Sequence, residues 1–370
     1  MKRIITKLTG LLLISGLLVS SVAVAQEMAQ QKIKIGVPTS LTGDAASFGI
    51  DIKNALTLMN DKFGNGRYEL IFEDDMCTGK GAVAAAQRLI GVEKVRYALG
   101  FACNQALLVV AALYDKAGVV VVTSSATSGD VLDLGKHIFR LFPSDAVGAQ
   151  LLFQFISKRH KKLLVLTEQN EYPVMMERTM LKANKNADSA LEITSVAFTH
   201  GESDLRTVLL STLAKGTDAI FINANSDSSF ITVVQQLQAL KYSGARYAAY
   251  VPASAVAQQA LGETLDGIIF CNLPALDDLM TTTGKELLAE FRKRYGEPQS
   301  GFPVVPTSFE AFQVLDAAIQ SGRDPTQFLA TTKFKGEFIP DFYFDQNGAV
   351  QGIDFQIQKI ENGKVVVLKD

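Results

Sequence analysis

The chain predicts an α/β fold of two doubly wound, Rossmann-like lobes joined by a three-strand hinge. Three observations carry that expectation. From Lys32 onward, short apolar strands alternate with amphipathic helices; the alternation breaks at Pro143 and starts again; and strand after strand ends in a loop of small polar residues. Strands this apolar belong to parallel sheets covered by helices on both faces. At 370 residues the chain also exceeds one typical core, so two lobes is the natural count.

In the first lobe the strand Ile33 to Val37 leads to a helix over Ser47 to Lys62, and Gly64-Asn65-Gly66 marks the turn into the strand Tyr68 to Glu73. A helix over Lys80 to Gly91, the strand Tyr97 to Gly100, a helix over Gln105 to Ala117 and the strand Val119 to Val122 follow. Gly118 sits where a glycine ends a helix. Two loops stand out, Phe101-Ala102-Cys103-Asn104 and Thr123-Ser124-Ser125-Ala126-Thr127. Both close apolar strands, the ends at which open α/β sheets hold ligands, and helices starting after such loops favour anions.

After the strand Ile138 to Phe142 the second lobe opens with a helix over Asp145 to Lys158. It continues through the strands Lys162 to Thr167, Leu191 to Phe198, Asp218 to Asn223, Arg246 to Val251 and Gly267 to Cys271, with helices over Tyr172 to Asn186, Ser203 to Ala214 and Ser228 to Leu240 between them. Helices over Thr283 to Tyr295 and Ser308 to Ser321 lack parallel strands between them and are expected to return to the first sheet. The tail, Ile353 to Ile360 then Val365 to Leu368, reads as a hairpin about Asn362-Gly363. The expected lobes are 32–143 with 273–345 and 144–272 with 346–370. Several crossovers between two lobes describe a hinge-bending clam that buries its ligand on closure.

The ends and composition set the class. Residues 1–25 carry Lys2, Arg3 and Lys7, an apolar run from Leu8 to Val22 and Ala23-Val24-Ala25, the pattern of a secretory signal peptide cleaved near Ala25. An uncleaved anchor is the lesser reading, since the run is short and interrupted. Without the leader, 33 of the 36 basic residues remain against 38 acidic ones, a balance that argues against nucleic acid as a partner. Of three cysteines, Cys77 and Cys103 fall in strand-end loops of one sheet. In an exported chain they are expected to form a disulfide worth about 3 kcal/mol in the chain-entropy model. Cys271 is left as a buried thiol.

Chemistry motifs are sparse. His137, His160 and His200 have no second ligand at metal spacing, so no metal and no cofactor are expected. Thr78-Gly79-Lys80-Gly81 matches half of a phosphate loop and reads better as a turn before a helix. No nucleophile elbow or dinucleotide fingerprint offers an anchor for an enzyme. Glu73, Asp74 and Asp75 read as a cluster capping a loop. In the second lobe, Tyr172, Asn225 and Asp227 follow strand ends and are candidate counterparts to Asn104 and Thr127.

Taken together, Ile33-Lys34-Ile35-Gly36, Ser40-Leu41-Thr42-Gly43, Phe48-Gly49, Glu73 to Cys77, Gly100 to Cys103, Thr123 to Thr127 and Phe344-Asp345-Gln346-Asn347-Gly348 make the chain resemble a known family. It is similar to the substrate-binding proteins of branched-chain amino-acid ABC importers, with the type I periplasmic binding (Venus-flytrap) fold. The resemblance implies the Cys77–Cys103 disulfide. It also implies a ligand carboxylate held by Asn104 and Thr127, the latter shared with the amine, and a Ser125 carbonyl facing the amine, with Ala126 in the same loop. Phe48 would form an aromatic wall, Tyr172 would face it from the opposite lobe, and Asn225 stands where a tyrosine is often found. One departure concerns Ala253, in Val251-Pro252-Ala253-Ser254, where amino-acid binders carry a glutamate for the α-ammonium group. Either Glu168, Asp227 or another acid substitutes, or the ligand has no ammonium group, because an unpaired buried charge is costly. The resemblance thus implies a periplasmic, monomeric receptor for a branched-chain or hydrophobic amino acid or a related small carboxylate, serving an inner-membrane ABC permease. A periplasmic sensor for a small carboxylate or amide, without a transport role, is the alternative.

Overall fold

The computed structural model describes residues 32–43, 45–127, 134–187, 191–214, 216–274, 279–300 and 302–368. The leader read over residues 1–25 lies outside them. Among the described residues no helix is long and apolar enough to cross a membrane.

The first sheet holds five parallel strands in the order β2-β1-β3-β4-β5, with β1 Ile33–Thr39, β2 Tyr68–Asp74, β3 Tyr97–Gly100, β4 Val120–Thr123 and β5 Ile138–Arg140. On one face lie α2 (Gly79–Ala86, continued as a π-helical turn over Gln87–Val92) and α3 (Asn104–Lys116), packed through Leu89, Phe101, Leu107 and Tyr114. The other face is covered by α1 (Ala46–Phe63), α9 (Thr282–Tyr295) and α10 (Val304–Gln320). The two helices after residue 280 therefore do return to the first sheet. α10 inserts Phe309, Phe312 and Leu315 against it, each such side chain worth about 1.5–3 kcal/mol when fully buried. α10 begins at Val304, four residues before the expected start, because Pro306 falls in the first turn, where a missing N–H costs no helical hydrogen bond.

Seven strands form the second sheet, in the order β15-β14-β10-β9-β8-β6-β7. β6 (Lys162–Glu168), β7 (Glu192–Phe198), β8 (Ala219–Asn223), β9 (Ala245–Ala248) and β10 (Ile269–Asn272) run parallel. β14 (Gln356–Glu361) and β15 (Lys364–Val367) add the expected hairpin, turned by Asn362 and Gly363, both at positive φ. The helices are α4 (Asp145–Ser157), α5 (Glu171–Lys185), α6 (Arg206–Leu213), α7 (Asp227–Ala239) and α8 (Ala255–Leu261). β9 ends three residues before Val251, because Val251–Ala253 forms a 3-10 turn with Pro252 inside it.

A small antiparallel sheet of β11 (Lys333–Phe334), β12 (Phe342–Phe344) and β13 (Val350–Gln351) follows α11 (Pro325–Thr331) and was not foreseen, its strands being too short to show a period. Phe342, Phe344, Val350 and Ile353 belong to the core beneath the first sheet. The chain passes between the two sheets three times, where a three-strand hinge was expected. Among the described residues the crossing segments themselves carry no strand.

Candidate functional site

The first lobe's contribution starts at the C-terminal ends of β1, β3 and β4. Gly100 has φ +111, and a Cβ there would lie 2.7 Å from the Pro38 carbonyl oxygen, so only glycine lets the two strand ends approach. Phe101, at φ +57, then donates its N–H to that oxygen at 2.8 Å. The expected Cys77–Cys103 disulfide is present, with Cα atoms 5.5 Å apart, and fastens the β2 loop to the residue before α3. Asp74 accepts from the Leu41 and Met76 N–H groups, each at 2.9 Å, and Asp75 from the Cys77 N–H at 2.8 Å, the loop-capping role expected of this cluster. Thr78 caps α2, accepting from the Gly81 N–H at 3.0 Å, which settles the half phosphate loop as a turn before a helix.

Asn104 is the first residue of α3, and Thr127 lies at the end of the β4 loop. The two bracket each other: the Thr127 N–H donates to Asn104 Oδ1 at 2.7 Å, and Asn104 Nδ2 donates to Thr127 Oγ1 at 3.3 Å. The neighbouring hydroxyls are engaged as well. Ser125 donates to the carbonyls of Phe101 and Ala102 at 2.9 and 3.0 Å, and Ser308 of α10 donates to Ser124 at 2.9 Å. Ala126 is fully buried beneath the loop.

The second lobe meets this bracket with two carboxylates. Glu171, first residue of α5, accepts from Asn104 Nδ2 through Oε2 at 3.4 Å, while its Oε1 is buried with no hydrogen-bond partner. Asp145, first residue of α4, is 2% exposed; its N–H donates to the Thr127 carbonyl at 2.8 Å and its carboxylate bonds the Thr127 side chain. Asp145 Oδ2 has no partner. Burial, reinforced by the charge of Glu171, pushes the Asp145 carboxyl up to about 7, although the Thr127 hydrogen bond and Arg140 act the other way. Arg140, fully buried on β5, lies within electrostatic range of Asp145 and Asp345.

Beside the carboxylates runs a series of rings. Phe48 of α1 lies 6.2 Å from Phe302, which stacks on Phe142 at 4.5 Å and meets Tyr250 edge-on at 5.3 Å; Tyr250 in turn meets Tyr172 at 5.6 Å. Phe48, Phe142 and Phe302 belong to the first lobe and the hinge, Tyr250 and Tyr172 to the second, so the Phe302–Tyr250 contact spans the cleft. Burial raises the hydroxyl pKa of both tyrosines, which keeps them neutral hydrogen-bonding groups.

Other second-lobe candidates are held differently. Glu168, at the end of β6, is saturated. Its Oε1 accepts from His200 Nδ1 at 2.7 Å, Ser226 Oγ at 2.6 Å and Ser229 Oγ at 2.9 Å, and its Oε2 accepts from the N–H groups of Asn225 and Ser226. Burial opposes its charge, but these bonds prevail and hold the carboxyl below its ordinary value. Glu168 is therefore no substitute for the glutamate missing at 253. Asn225 Oδ1 accepts from Asn170 Nδ2 at 2.5 Å, and the Tyr250 hydroxyl donates to the Asn225 carbonyl at 3.3 Å. Asp227 accepts from the Ser254 hydroxyl next to Ala253, which packs on the second lobe's core. His137 and His160 are likewise committed, to Asp115 and to the Tyr247 hydroxyl. Cys271 is a buried free thiol, as expected.

The structure thus joins Phe48, Asn104, Thr127 and Tyr172 at one cleft and adds Phe142, Asp145, Glu171, Tyr250 and Phe302, none of which stood out in the sequence. A family model described as "Periplasmic binding protein" matches residues 32–345. The chain belongs to this family. It is a family of extracytoplasmic binding proteins rather than enzymes. Among its relatives is the leucine-, isoleucine-, valine-, threonine- and alanine-binding protein of Pseudomonas aeruginosa, 24% identical over 347 residues, which cover 89% of this chain and 90% of the relative. Among solved structures, the branched-chain amino acid transporter substrate binding protein of Streptococcus pneumoniae in complex with isoleucine superposes with a TM-score of 0.76 at 19% identity, covering 92% of this chain and 100% of that one. A solute binding protein of an ABC transporter from R. palustris in complex with benzoate also gives a TM-score of 0.76, at 17% identity over 91% of this chain and 96% of that one. At these identities the superpositions establish the fold.

Proposed function

We propose that this periplasmic binding protein is the solute-binding component of an ABC importer, exported by the leader over residues 1–25 with cleavage near Ala25 and acting as a monomer. Its lobes, 32–143 with 273–353 and 144–272 with 354–370, close on a small, partly apolar solute and present the closed form to an inner-membrane permease. The observation that carries this reading is the cleft itself. The Asn104–Glu171 hydrogen bond and the Phe302–Tyr250 ring contact join the C-terminal ends of two parallel sheets, so ligand contacts and lobe contacts form in one closure step. The named relatives support a solute of amino-acid size, and the benzoate complex supports a reach beyond amino acids. In this reading Phe48, Tyr172 and Tyr250 enclose the apolar part of the solute. Asn104, Thr127 and the Ser125–Ala126 backbone line its polar end, and Asn225, Asp227 and Ala253 form the second-lobe wall.

Thermal-shift and calorimetric screens of the mature protein against amino acids, amines, keto acids and aromatic acids test the reading. At least one class is expected to bind one to one, and a ligand at a hundred times its Kd stabilises by about 2.7 kcal/mol. A folded protein that binds none of them and instead turns over a substrate contradicts it.

A further inference from the structure

Among the described residues, the first lobe's side-chain donors at the cleft are engaged, while two carboxylate oxygens of the second lobe are not. On the donor side, the Thr127 N–H is taken by Asn104 Oδ1, the Ser125 hydroxyl by two backbone carbonyls, and the Asn104 amide by Thr127 and Glu171. The Asn104 carboxamide oxygen accepts from the very Thr127 that the family resemblance assigns to a ligand carboxylate. On the acceptor side, Asp145 Oδ2 and Glu171 Oε1 are both buried and accept nothing among the described residues. A buried carboxylate oxygen without a donor costs free energy, so the site is complete only when a donor arrives.

Charge points the same way. Among the described residues, the groups within electrostatic range of Asp145 include Arg140 on β5, Glu171 and Tyr172 on α5, Tyr250 after β9 and Cys271 on β10. Burial, with the charge of Glu171 beside it, keeps the Asp145 carboxyl raised, and Arg140 stands near Asp345 as well, so a cation arriving at the junction of the lobes would favour the ionised form of Asp145. The rings of Tyr172 and Tyr250 stand beside it, and aromatic faces attract cations.

We propose that the cleft selects a solute bearing a cationic nitrogen, which donates to Asp145 and Glu171, and that it does not demand a carboxylate, because the Asn104 carboxamide already fills that place. The proposal rests on the solute-binding reading above. It replaces the ammonium partner missing at Ala253 by a pair of acids from the first turns of α4 and α5.

Calorimetry with two matched sets of probes tests it: isopentylamine, leucine and 4-methyl-2-oxopentanoate, then phenethylamine, phenylalanine and phenylpyruvate. In at least one set the amine is expected to bind no more weakly than the amino acid, with the keto acid at least about 30-fold weaker, the ratio expected for losing a charge-assisted hydrogen bond. Glu171→Gln is expected to weaken the amine by a similar factor while leaving the unliganded protein folded, with a melting temperature no lower than that of the wild type. Asp145→Asn should weaken the amine as well; because Asp145 is deeply buried, Glu171→Gln carries the test if that variant does not fold. Keto acids binding as tightly as amines, amino acids binding alone, or an amine affinity untouched by Glu171→Gln would each overturn the proposal and leave the solute-binding reading standing. If all six probes fail to bind, this proposal is overturned, and the broad screen described above decides the solute-binding reading.

Discussion

Asp145 occupies the first position of α4, where a carboxylate ordinarily does no more than complement the helix dipole. Its surroundings make it a different group. The folded-state pKa is about 7, with burial as the main cause, against about 3.9 for an unperturbed aspartate. Between those values the folded protein holds a proton that the unfolded chain has released. Stability of the unliganded protein is therefore expected to fall as pH rises from about 4 through about 7. Glu310 of α10, also pushed up to about 7 chiefly by burial, contributes a slope of the same sign. Melting temperatures of the wild type, Asp145→Asn and Glu310→Gln across this range check the assignment: each substitution is expected to flatten the slope, and unchanged slopes in both would refute it. At this scale the sequence was half legible. Asn104 and Thr127 announced themselves as polar residues at the ends of apolar strands. Asp145 and Glu171 did not, because an acid in the first turn of a helix is ordinary and only the fold brings these two helix starts together.

At the scale of elements, the parallel strands and their covering helices were readable because a fully apolar run between turn residues has few alternatives. α8 and α11, of seven residues each, span under two helical turns, and the three strands after α11 have two or three residues each, so all were missed for want of a readable period. The β2–α3 junction shows why local motifs were more informative than propensity. Met76, Cys77 and Phe101 all take positive φ, a conformation unfavourable for these side chains, and are held there by Asp74, Asp75, the Pro38 carbonyl and the Cys77–Cys103 bond. The paired substitution Cys77→Ala/Cys103→Ala is expected to cost about 3 kcal/mol in denaturant unfolding. Gly49 makes the same point inside α1: a Cβ there would lie 1.7 Å from the Ser40 carbonyl oxygen. Gly49→Ala is expected to destabilise by on the order of 1–3 kcal/mol, as overpacking does, and a neutral result in the same unfolding experiment would show that β1 and α1 can separate without cost.

Across the whole molecule, two sheets with separate cores are joined by three crossings and touch through a narrow set of residues at their strand ends. That the pattern starts again after Pro143 was visible in the sequence; the small sheet after α11 was not, because its strands are two or three residues long. The arrangement couples binding to motion. Rings from both lobes meet at Phe302 and Tyr250, and the carboxylates of the second lobe reach Thr127 and Asn104 of the first, so separating the lobes breaks the site, and a ligand that fits the site favours their approach. Small-angle X-ray scattering on the mature protein, alone and saturated with whichever of the six calorimetric probes binds most tightly, tests this most directly. A smaller radius of gyration in the presence of the probe is the expected result; superimposable curves at full occupancy, with the unliganded protein as extended as the bound form, would contradict closure on a ligand as the function of the fold.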